Sequence, residues 1–321
     1  MLPGAELVDT AFPKGYHFFV RLKSEVEDDD EDEDELPNTE HSTPITQNPT
    51  PSTPLVMRFQ LEVPILSHEQ LAEHEFEMTL LSPEVASESK PGQFMQILYD
   101  HNYNPFTRRP FSVYRVDKDR GTFSIVYLAR GVFTQGLRNK RAGEKLSVVG
   151  PLGNWYELDP RPGVRHIMVA GGVGAPPLYF LAERMKDRSN VTVINGARTR
   201  NRLVGVTEFE ELGVDLRFTT DDGSVGHKGI VTDALIRALD EHSAPAHIYT
   251  CGPTGMLRAV ADIAITRSVH CQVSVETMMP CGVGVCMGCV VKIKDDSEAG
   301  YCNLRSCYEG PVFRADRIVW E

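Results

Sequence analysis

The 321-residue chain is short of positive charge and of long apolar runs. It has 33 Lys and Arg against 45 Asp and Glu, which gives a net charge of −12. This balance argues against a general binder of nucleic acid or of an anionic membrane surface, because both need a basic protein face. No apolar run reaches the roughly 18 residues of a membrane helix, and no basic region followed by an apolar stretch opens the chain. We therefore expect a cytoplasmic protein without a membrane partner.

Cysteine is absent from the first 250 residues, whereas five of the seven cysteines lie between residues 281 and 307. Without an export signal, such crowding favours metal or redox chemistry over disulfides. Cys281, Cys286 and Cys289 have the Cys-x4-Cys-x2-Cys spacing of a plant-type [2Fe–2S] site, which takes its fourth thiolate from farther along the chain. Zinc is the alternative, but zinc sites prefer two short cysteine pairs and only one is present. Spacing alone leaves the fourth ligand open between Cys302 and Cys307.

Composition divides the chain into segments. Residues 1–57 hold 13 acidic and 3 basic side chains, and residues 37–54 are mostly Pro, Thr, Ser and Asn. Such a segment buries too little apolar surface to offset its ordering entropy, so we expect residues 1–56 to form a disordered arm. An arm that docks a regulator or partner is the alternative interpretation.

The rest of the chain predicts a β barrel followed by an α/β domain. Short strand-like runs between residues 57 and 160 predict a small antiparallel barrel, at 75–81, 94–98, 111–116, 123–129 and 145–149. Between 161 and 270, strands alternate with amphipathic helices, which predicts a parallel sheet covered on both faces. The strands are expected at 166–170, 191–197, 216–220 and 247–250, and the helices at 177–186, 231–242 and 254–268. Residues 271–321 are expected to form a small cluster domain, closing with strands within 312–320.

Two short segments of the barrel carry groups that suit a flavin diphosphate. Arg109, Pro110, Phe111 and Ser112 begin a strand, where a guanidinium can bind phosphate bidentately and a hydroxyl can reach a flavin edge. Gly131 and Thr134 open a short helix that offers backbone N–H groups and a second hydroxyl. Alone, either segment is a weak signal.

The α/β part carries two further signals at the carboxyl ends of its strands. A glycine turn between a strand and a helix predicts a dinucleotide site, and it comprises Gly171, Gly172, Val173, Gly174 and Ala175. The last strand closes with Cys251, Gly252 and Pro253, which we interpret as a platform for the nicotinamide. The second strand ends without the usual ribose-binding carboxylate and is followed by Arg198, Arg200 and Arg202, so the choice between NAD and NADP stays open.

Taken in order, these motifs resemble the ferredoxin–NADP reductase superfamily over about residues 60–321. More narrowly, the chain is similar to the electron-transfer subunits of NAD-dependent dihydroorotate dehydrogenase, most specifically at residues 276–289 and 308–313. In that family the fourth cluster ligand immediately precedes a Gly-Pro-Val-Phe-like segment. The resemblance therefore implies that Cys307, and not Cys302, completes the cluster.

The resemblance also implies cofactor-binding residues and a partner. FAD would be held by Arg109, Pro110, Phe111, Ser112, Val126, Tyr127, Leu128, Gly131 and Thr134. NAD would lie along residues 171–175 and 251–253, and the partner would be an FMN-containing catalytic subunit in a heterotetramer. No side chain is expected to act as acid, base or nucleophile, because the cofactors carry the chemistry. One departure is Phe133, which replaces the second glycine of the family's phosphate loop.

Two alternatives to this function remain. The same scaffold serves other complexes, of the hydrogenase, sulfide dehydrogenase or ferredoxin:NADP type. A non-enzymatic redox sensor is the other alternative.

Overall fold

The computed structural model describes residues 7–12, 16–21, 58–100, 106–159 and 161–320. The acidic run and the Pro-rich segment that were expected to be disordered lie outside these residues. Within the expected arm, the structure instead contains two antiparallel strands, β1 (Leu7–Phe12) and β2 (Tyr16–Arg21). Strand β2 then runs parallel to the start of the next strand, with Val20 opposite Arg58.

The next seven strands form one antiparallel sheet. They are β3 (Arg58–Ala72), β4 (Glu75–Leu81), β5 (Phe94–Leu98), β6 (Arg109–Ser112), β7 (Arg115–Asp117), β8 (Thr122–Leu128) and β9 (Lys145–Leu152). Their order across the sheet is β6-β5-β9-β3-β4-β8-β7. Two short helices accompany them, α1 (Pro83–Glu88) and α2 (Val132–Leu137). Helix α1 begins at an N-cap, where the Ser82 hydroxyl accepts from the Val85 N–H at 3.3 Å.

The sheet closes into a barrel because β6 and β7 lie at opposite ends of the order but are adjacent in the chain. Only Val113 and Tyr114 separate them, so the sheet must curl until its two edges meet. At this corner Val113 N–H donates to the Gln93 carbonyl at 3.0 Å, and Tyr114 N–H donates to the Ser124 carbonyl at 2.9 Å. The predicted antiparallel barrel is confirmed, whereas the single strand predicted at 111–116 is divided into β6 and β7 by this crossing.

The second half of the chain forms a seven-stranded sheet and a hairpin. In chain order the strands are β10 (Arg165–Gly171), β11 (Val191–Ala197), β12 (Asp215–Thr220), β13 (His227–Lys228), β14 (Ala246–Cys251), β15 (His270–Ser274), β16 (Val290–Lys294), β17 (Tyr301–Arg305) and β18 (Val312–Arg314). The sheet order is β13-β12-β11-β10-β14-β15-β18, with only β18 antiparallel, while β16 and β17 pair separately. The chain moves outward from β10 to β13 and returns to β14 on the other side of β10. The carboxyl ends of β10 and β14 therefore flank the topological switch point, where ligands of such sheets bind.

Helices cover both faces of this sheet, as predicted. They are α3 (Ala175–Glu183), α4 (Val206–Leu212), α5 (Val231–Asp240) and α6 (Thr254–Thr266). Alternate residues of β10 point to opposite faces. Ile167 and Val169 pack with the apolar residues of α5 and α6, whereas Met168 and Ala170 pack with those of α3 and α4.

The cysteine-rich segment leaves this sheet and returns to it. Strand β15 carries the chain out and β18 brings it back, with Ser274 opposite Val312. Asn154, just after β9, joins the segment to the barrel: its amide nitrogen donates to the Glu309 and Val312 carbonyls at 2.9 and 2.7 Å, and its oxygen accepts from Val312 N–H at 2.8 Å. Of the strands expected within 312–320, only β18 forms.

Candidate functional site

A cavity of about 390 Å³ lies where the barrel meets the carboxyl edge of the parallel sheet. Most of the predicted flavin residues and part of the predicted nucleotide loop line it: Pro110, Phe111, Ser112, Val126, Tyr127, Leu128, Thr134, Val173, Gly174, Cys251 and Gly252. Residues that are far apart in the sequence thus line one cavity, which we call the first cavity.

Three predicted residues line neither the first cavity nor the second cavity described below. Arg109 is exposed at the edge of the first cavity, where a guanidinium nitrogen donates to the Thr107 carbonyl at 2.9 Å. Gly131 caps α2, and its N–H donates to the Thr134 hydroxyl at 3.1 Å. Ala175, the first residue of α3, is fully buried in the core, so its side chain faces no cavity.

Phe133, which replaces the second glycine of the family's phosphate loop, points away from that loop. Its ring lies in the barrel core, edge-on to Tyr99 with ring centroids 4.9 Å apart.

A second cavity of about 650 Å³ follows the carboxyl ends of β10, β11 and β12. Gly171, Gly172, Val173 and Pro253 line it, as does the arginine pair after β11, Arg198 and Arg202. The two cavities share the lining residues Leu128, Arg130, Val173 and Glu276. The two cavities are therefore adjacent, and two ligands, one bound in each cavity, would meet at this shared wall.

Gly174 brings the two loops of the switch point into contact. A Cβ at this position would lie 2.1 Å from the Cys251 carbonyl oxygen and 2.7 Å from the Gly252 nitrogen. Only glycine fits between these backbones. Beside it, burial raises the pKa of the Cys251 thiol to about 12, so a neutral thiol faces the first cavity.

The structure brings Cys307, which follows β17, against the loop that carries Cys281, Cys286 and Cys289. Gly284 N–H donates to Cys307 Sγ at 3.1 Å, Cys307 N–H approaches Cys289 Sγ at 3.4 Å, and Gly288 N–H approaches Cys286 Sγ at 3.4 Å. The Cys281 side chain contacts that of Cys286. Cys302 lies apart on β17, beside Asp295, and packs with the core under α5 and α6.

The surroundings of these cysteines fit an iron–sulfur cluster. Burial opposes ionisation of Cys281, but the backbone N–H groups of Cys286 and Val283 donate to its sulfur and lower its pKa to about 7. Gly282 has φ +73°, and a Cβ there would lie 2.3 Å from the Gln96 side chain, so the loop lies directly against the barrel. Four thiol groups with backbone donors directed at sulfur are the donor set that a [2Fe–2S] cluster requires.

The first cavity likewise fits a flavin. The Thr277 hydroxyl, in its wall, is buried without a hydrogen-bond partner in the part of the chain that the structure describes. Such a group is costly unless a ligand satisfies it. Aromatic and aliphatic side chains from Phe94, Phe111 and Met279 form the apolar part of the wall.

Comparison with known proteins identifies the family. Residues 276–319 match the iron–sulfur cluster binding domain of dihydroorotate dehydrogenase B, and residues 168–262 match an oxidoreductase NAD-binding domain. The dihydroorotate dehydrogenase B (NAD(+)) electron transfer subunit of Desulforamulus reducens is 33% identical over 258 residues, which cover 80% of this chain and 97% of that protein. Its counterpart in Geobacillus thermodenitrificans is 37% identical over 257 residues, 79% of this chain and 96% of that one. The chain belongs to this family of electron transfer subunits.

Solved structures agree with this electron transfer subunit fold. A structure of an NADH-dependent reduced ferredoxin-NADP oxidoreductase, described in connection with flavin-based electron bifurcation, matches with a TM-score of 0.70 and 32% identity, over 80% of this chain and 90% of that one. A ferredoxin reductase of carbazole 1,9a-dioxygenase matches with a TM-score of 0.58 and 22% identity, over 67% and 68% of the two chains, which shows the fold alone. The comparisons confirm an oxidoreductase subunit whose cofactors are FAD, a [2Fe–2S] cluster and NAD. In the described part of the chain, no helix is both long and apolar enough to cross a membrane.

Sequence reasoning missed one stretch of this electron transfer subunit's site. The last residue of β15 and the residues that follow it line the first cavity, namely Ser274, Val275, Glu276, Thr277 and Met279. The sequence around β15 was not predicted to form a strand. The sequence therefore did not indicate that the residues after it lie at the ligand-binding edge of the sheet. A strand there would have directed attention to this stretch, because the carboxyl ends of parallel strands share one edge.

Proposed function

We propose that this chain is the electron transfer subunit of a dihydroorotate dehydrogenase B complex in pyrimidine biosynthesis. Electrons would pass between a [2Fe–2S] cluster, FAD and NAD within it. The observation that carries this proposal is the continuity of the three sites. The second cavity adjoins the first, and Phe94 and Met279 both line the first cavity and pack against Cys289 and Cys307.

The site residues follow from this arrangement. Cys281, Cys286, Cys289 and Cys307 hold the cluster. FAD occupies the first cavity, held by residues 109–112, 126–128, Gly131 and Thr134. NAD lies along residues 171–173 and Pro253 in the second cavity, and its nicotinamide reaches residues 174 and 251–252 in the wall of the first. FAD, when bound, exchanges a hydride with the nicotinamide and single electrons with the cluster. The domain division that we propose is an arm at 1–56, a FAD barrel at 57–160, an NAD domain at 161–270 and a cluster segment at 271–321.

The protein's own side chains position these groups and exclude water. The Thr134 hydroxyl accepts from the Arg130 and Gly131 N–H groups at 3.0 and 3.1 Å, which fixes the backbone where α2 begins beside the first cavity. Cys251 presents a neutral thiol, hydrogen-bonded to Ser274, where the nicotinamide would meet the flavin. Phe94 and Met279 form an apolar partition between the flavin and the cysteines, which keeps solvent out of the path between them.

The partner is a catalytic subunit that oxidises dihydroorotate, and we propose that it contains FMN and forms a heterotetramer with this chain. The loop of residues 281–289 is the face that suits its docking, because Cys286 is exposed there between two large apolar side chains. Val285 is 60% exposed and Met287 is 50% exposed. These exposed apolar side chains beside a proposed cluster ligand are what supports docking at this loop.

Cofactor analysis of the purified protein tests the cluster assignment. We expect about two irons and one FAD per chain, with NADH bleaching the flavin absorption and producing a [2Fe–2S] EPR signal. Cys307→Ser should lose the cluster, whereas Cys302→Ser, the matched control, should keep it. Zinc in place of iron, or cluster loss in the Cys302 variant alone, would contradict the assignment.

The partner is tested separately by isolating the full complex from cells. Copurification with an FMN protein that reduces NAD⁺ with dihydroorotate supports the proposal. A subunit of a ferredoxin:NADP type complex is the second candidate, favoured by the 32% identity to the NADH-dependent ferredoxin-NADP oxidoreductase. Copurification with a ferredoxin-oxidising flavoprotein instead would select that candidate.

A further inference from the structure

Two arginines flank the tyrosine that follows the proposed fourth cluster ligand. Tyr308 lies next to Cys307 in the chain and packs with the cluster cysteines. The Arg58 guanidinium carbon lies 4.8 Å from the centre of its ring, and the Arg305 guanidinium carbon also lies 4.8 Å from it. At these distances each guanidinium is attracted to the ring face.

The two arginines are not equivalent. Arg305 is tied within the cluster segment, where it pairs with Glu309 and donates to the Gly284 carbonyl at 2.8 Å. Arg58 comes from the first residue of β3, in the barrel, and burial lowers its pKa while Tyr308 and Cys307 raise it. An arginine side chain stays protonated in such surroundings, so a positive charge from the barrel lies beside Cys307.

We propose that Arg58 is a positioning residue that raises the reduction potential of the cluster, by holding a positive charge beside Cys307 through its stack on Tyr308. This inference rests on the proposed function, since it requires the cluster at the four cysteines. The barrel would then bind FAD and, through Arg58, also set the reduction potential of the neighbouring cluster.

The physical reason lies in the charge of the two redox states. Reduction adds one electron, taken from the partner's FMN in the proposed complex, and makes the cluster site more negative by one charge without forming or breaking a bond. A nearby positive charge stabilises the more negative state, and partial burial limits its screening by salt. Arg58 therefore favours the reduced state.

The test is an EPR-monitored redox titration of the full-length protein with its cofactors, using dithionite as reductant. Arg58→Gln should shift the cluster's midpoint potential to more negative values, and Arg58→Lys should stay near the wild-type value. Arg115→Gln is the matched control, because Arg115 stacks on Tyr114 and Tyr179 at 4.9 and 4.8 Å, where the barrel meets α3. It should leave the cluster potential unchanged.

Each result decides the inference. An unchanged potential in Arg58→Gln, or equal shifts in the glutamine and lysine variants, would overturn it. If the glutamine variant loses its cluster, Arg58→Met, which keeps the apolar length of the side chain, takes its place in the comparison. Cluster loss in the glutamine, methionine and lysine variants alike would show a structural role and would also overturn it. Absence of the EPR signal from the wild-type protein would instead refute the proposed function.

Discussion

Three histidines lie side by side near the amino ends of three neighbouring parallel strands, at the edge of the sheet away from the cavities. His166 of β10 is opposite His247 of β14, which is opposite His270 of β15. The middle ring, His247, is 7% exposed and stacks on Tyr249 with centroids 4.7 Å apart. Its Nε2 contacts the His270 Nδ1 and lies 3.1 Å from the Gln272 amide nitrogen. The amide nitrogen is a donor, so the His247 Nε2 must be unprotonated to accept its hydrogen bond. These surroundings therefore suit the neutral form of His247.

Protonation of His247 should therefore destabilise the fold. Burial first, and then His270, lower its pKa from 6.5 to about 4. Between these values the unfolded chain binds more protons than the folded one, so this stability is present above pH 6.5 and is lost as the pH falls toward 4. The two values give a loss of about 1 kcal/mol at pH 5.5 and about 3 kcal/mol at pH 4.

Urea unfolding at pH 7.5 and pH 5.5, followed by circular dichroism on the cofactor-loaded protein, measures this loss. The glutamine of His247→Gln is neutral at both pH values and keeps an acceptor oxygen, so this variant should lose less stability than the wild type, by about 1 kcal/mol. His242→Gln, at an exposed position after α5, should lose as much as the wild type. Equal losses in His247→Gln and the wild type would refute this account of the histidine row.

Two glycine substitutions test the close approaches at the cofactor sites. Gly174→Ala should weaken NADH binding by about tenfold or more, or about 1.4 kcal/mol, because its Cβ would displace the Cys251 backbone. In the matched control, Gly213→Ala, the new Cβ meets no atom within 4 Å and lies outside both cavities, so this variant should bind NADH normally in a fluorescence titration. Gly282→Ala and Gly300→Ala both incur roughly 1 to 2 kcal/mol for their left-handed backbone, at φ +73° and +70°. Only Gly282→Ala collides with Gln96, so it alone should lower the iron content per chain. Equal iron in the two variants would contradict the tight fit of the loop on the barrel.

The parts of the fold that the sequence predicted are those where local pattern and tertiary structure agree. Strand β4 and strand β11 have the predicted bounds, and the glycine turn at 171–174 lies at the switch point as its strand–turn–helix context indicated. These elements are continuous in sequence. Their apolar patterns and turn residues therefore suffice to define them.

The missed parts depend on partners distant in sequence. Strand β3 runs for 15 residues despite Pro64 and several charged side chains, because it pairs with β9 along its first half and with β4 along its second. The row of His166, His247 and His270 likewise arises only from strand register. The contact of Arg58 with Tyr308 joins residues 250 positions apart, and no local pattern indicates it.

The way the cysteine segment leaves and rejoins the sheet has a structural consequence for the flavin. Since β15 and β18 are adjacent strands, the residues between Ser274 and Val312 are an insertion whose two ends lie one strand spacing apart. A tight turn in their place would leave the parallel sheet complete. It would also remove Glu276, Thr277 and Met279 from the wall of the first cavity. The same insertion that supplies the cluster ligands therefore closes the flavin site, so that neither site is complete without it.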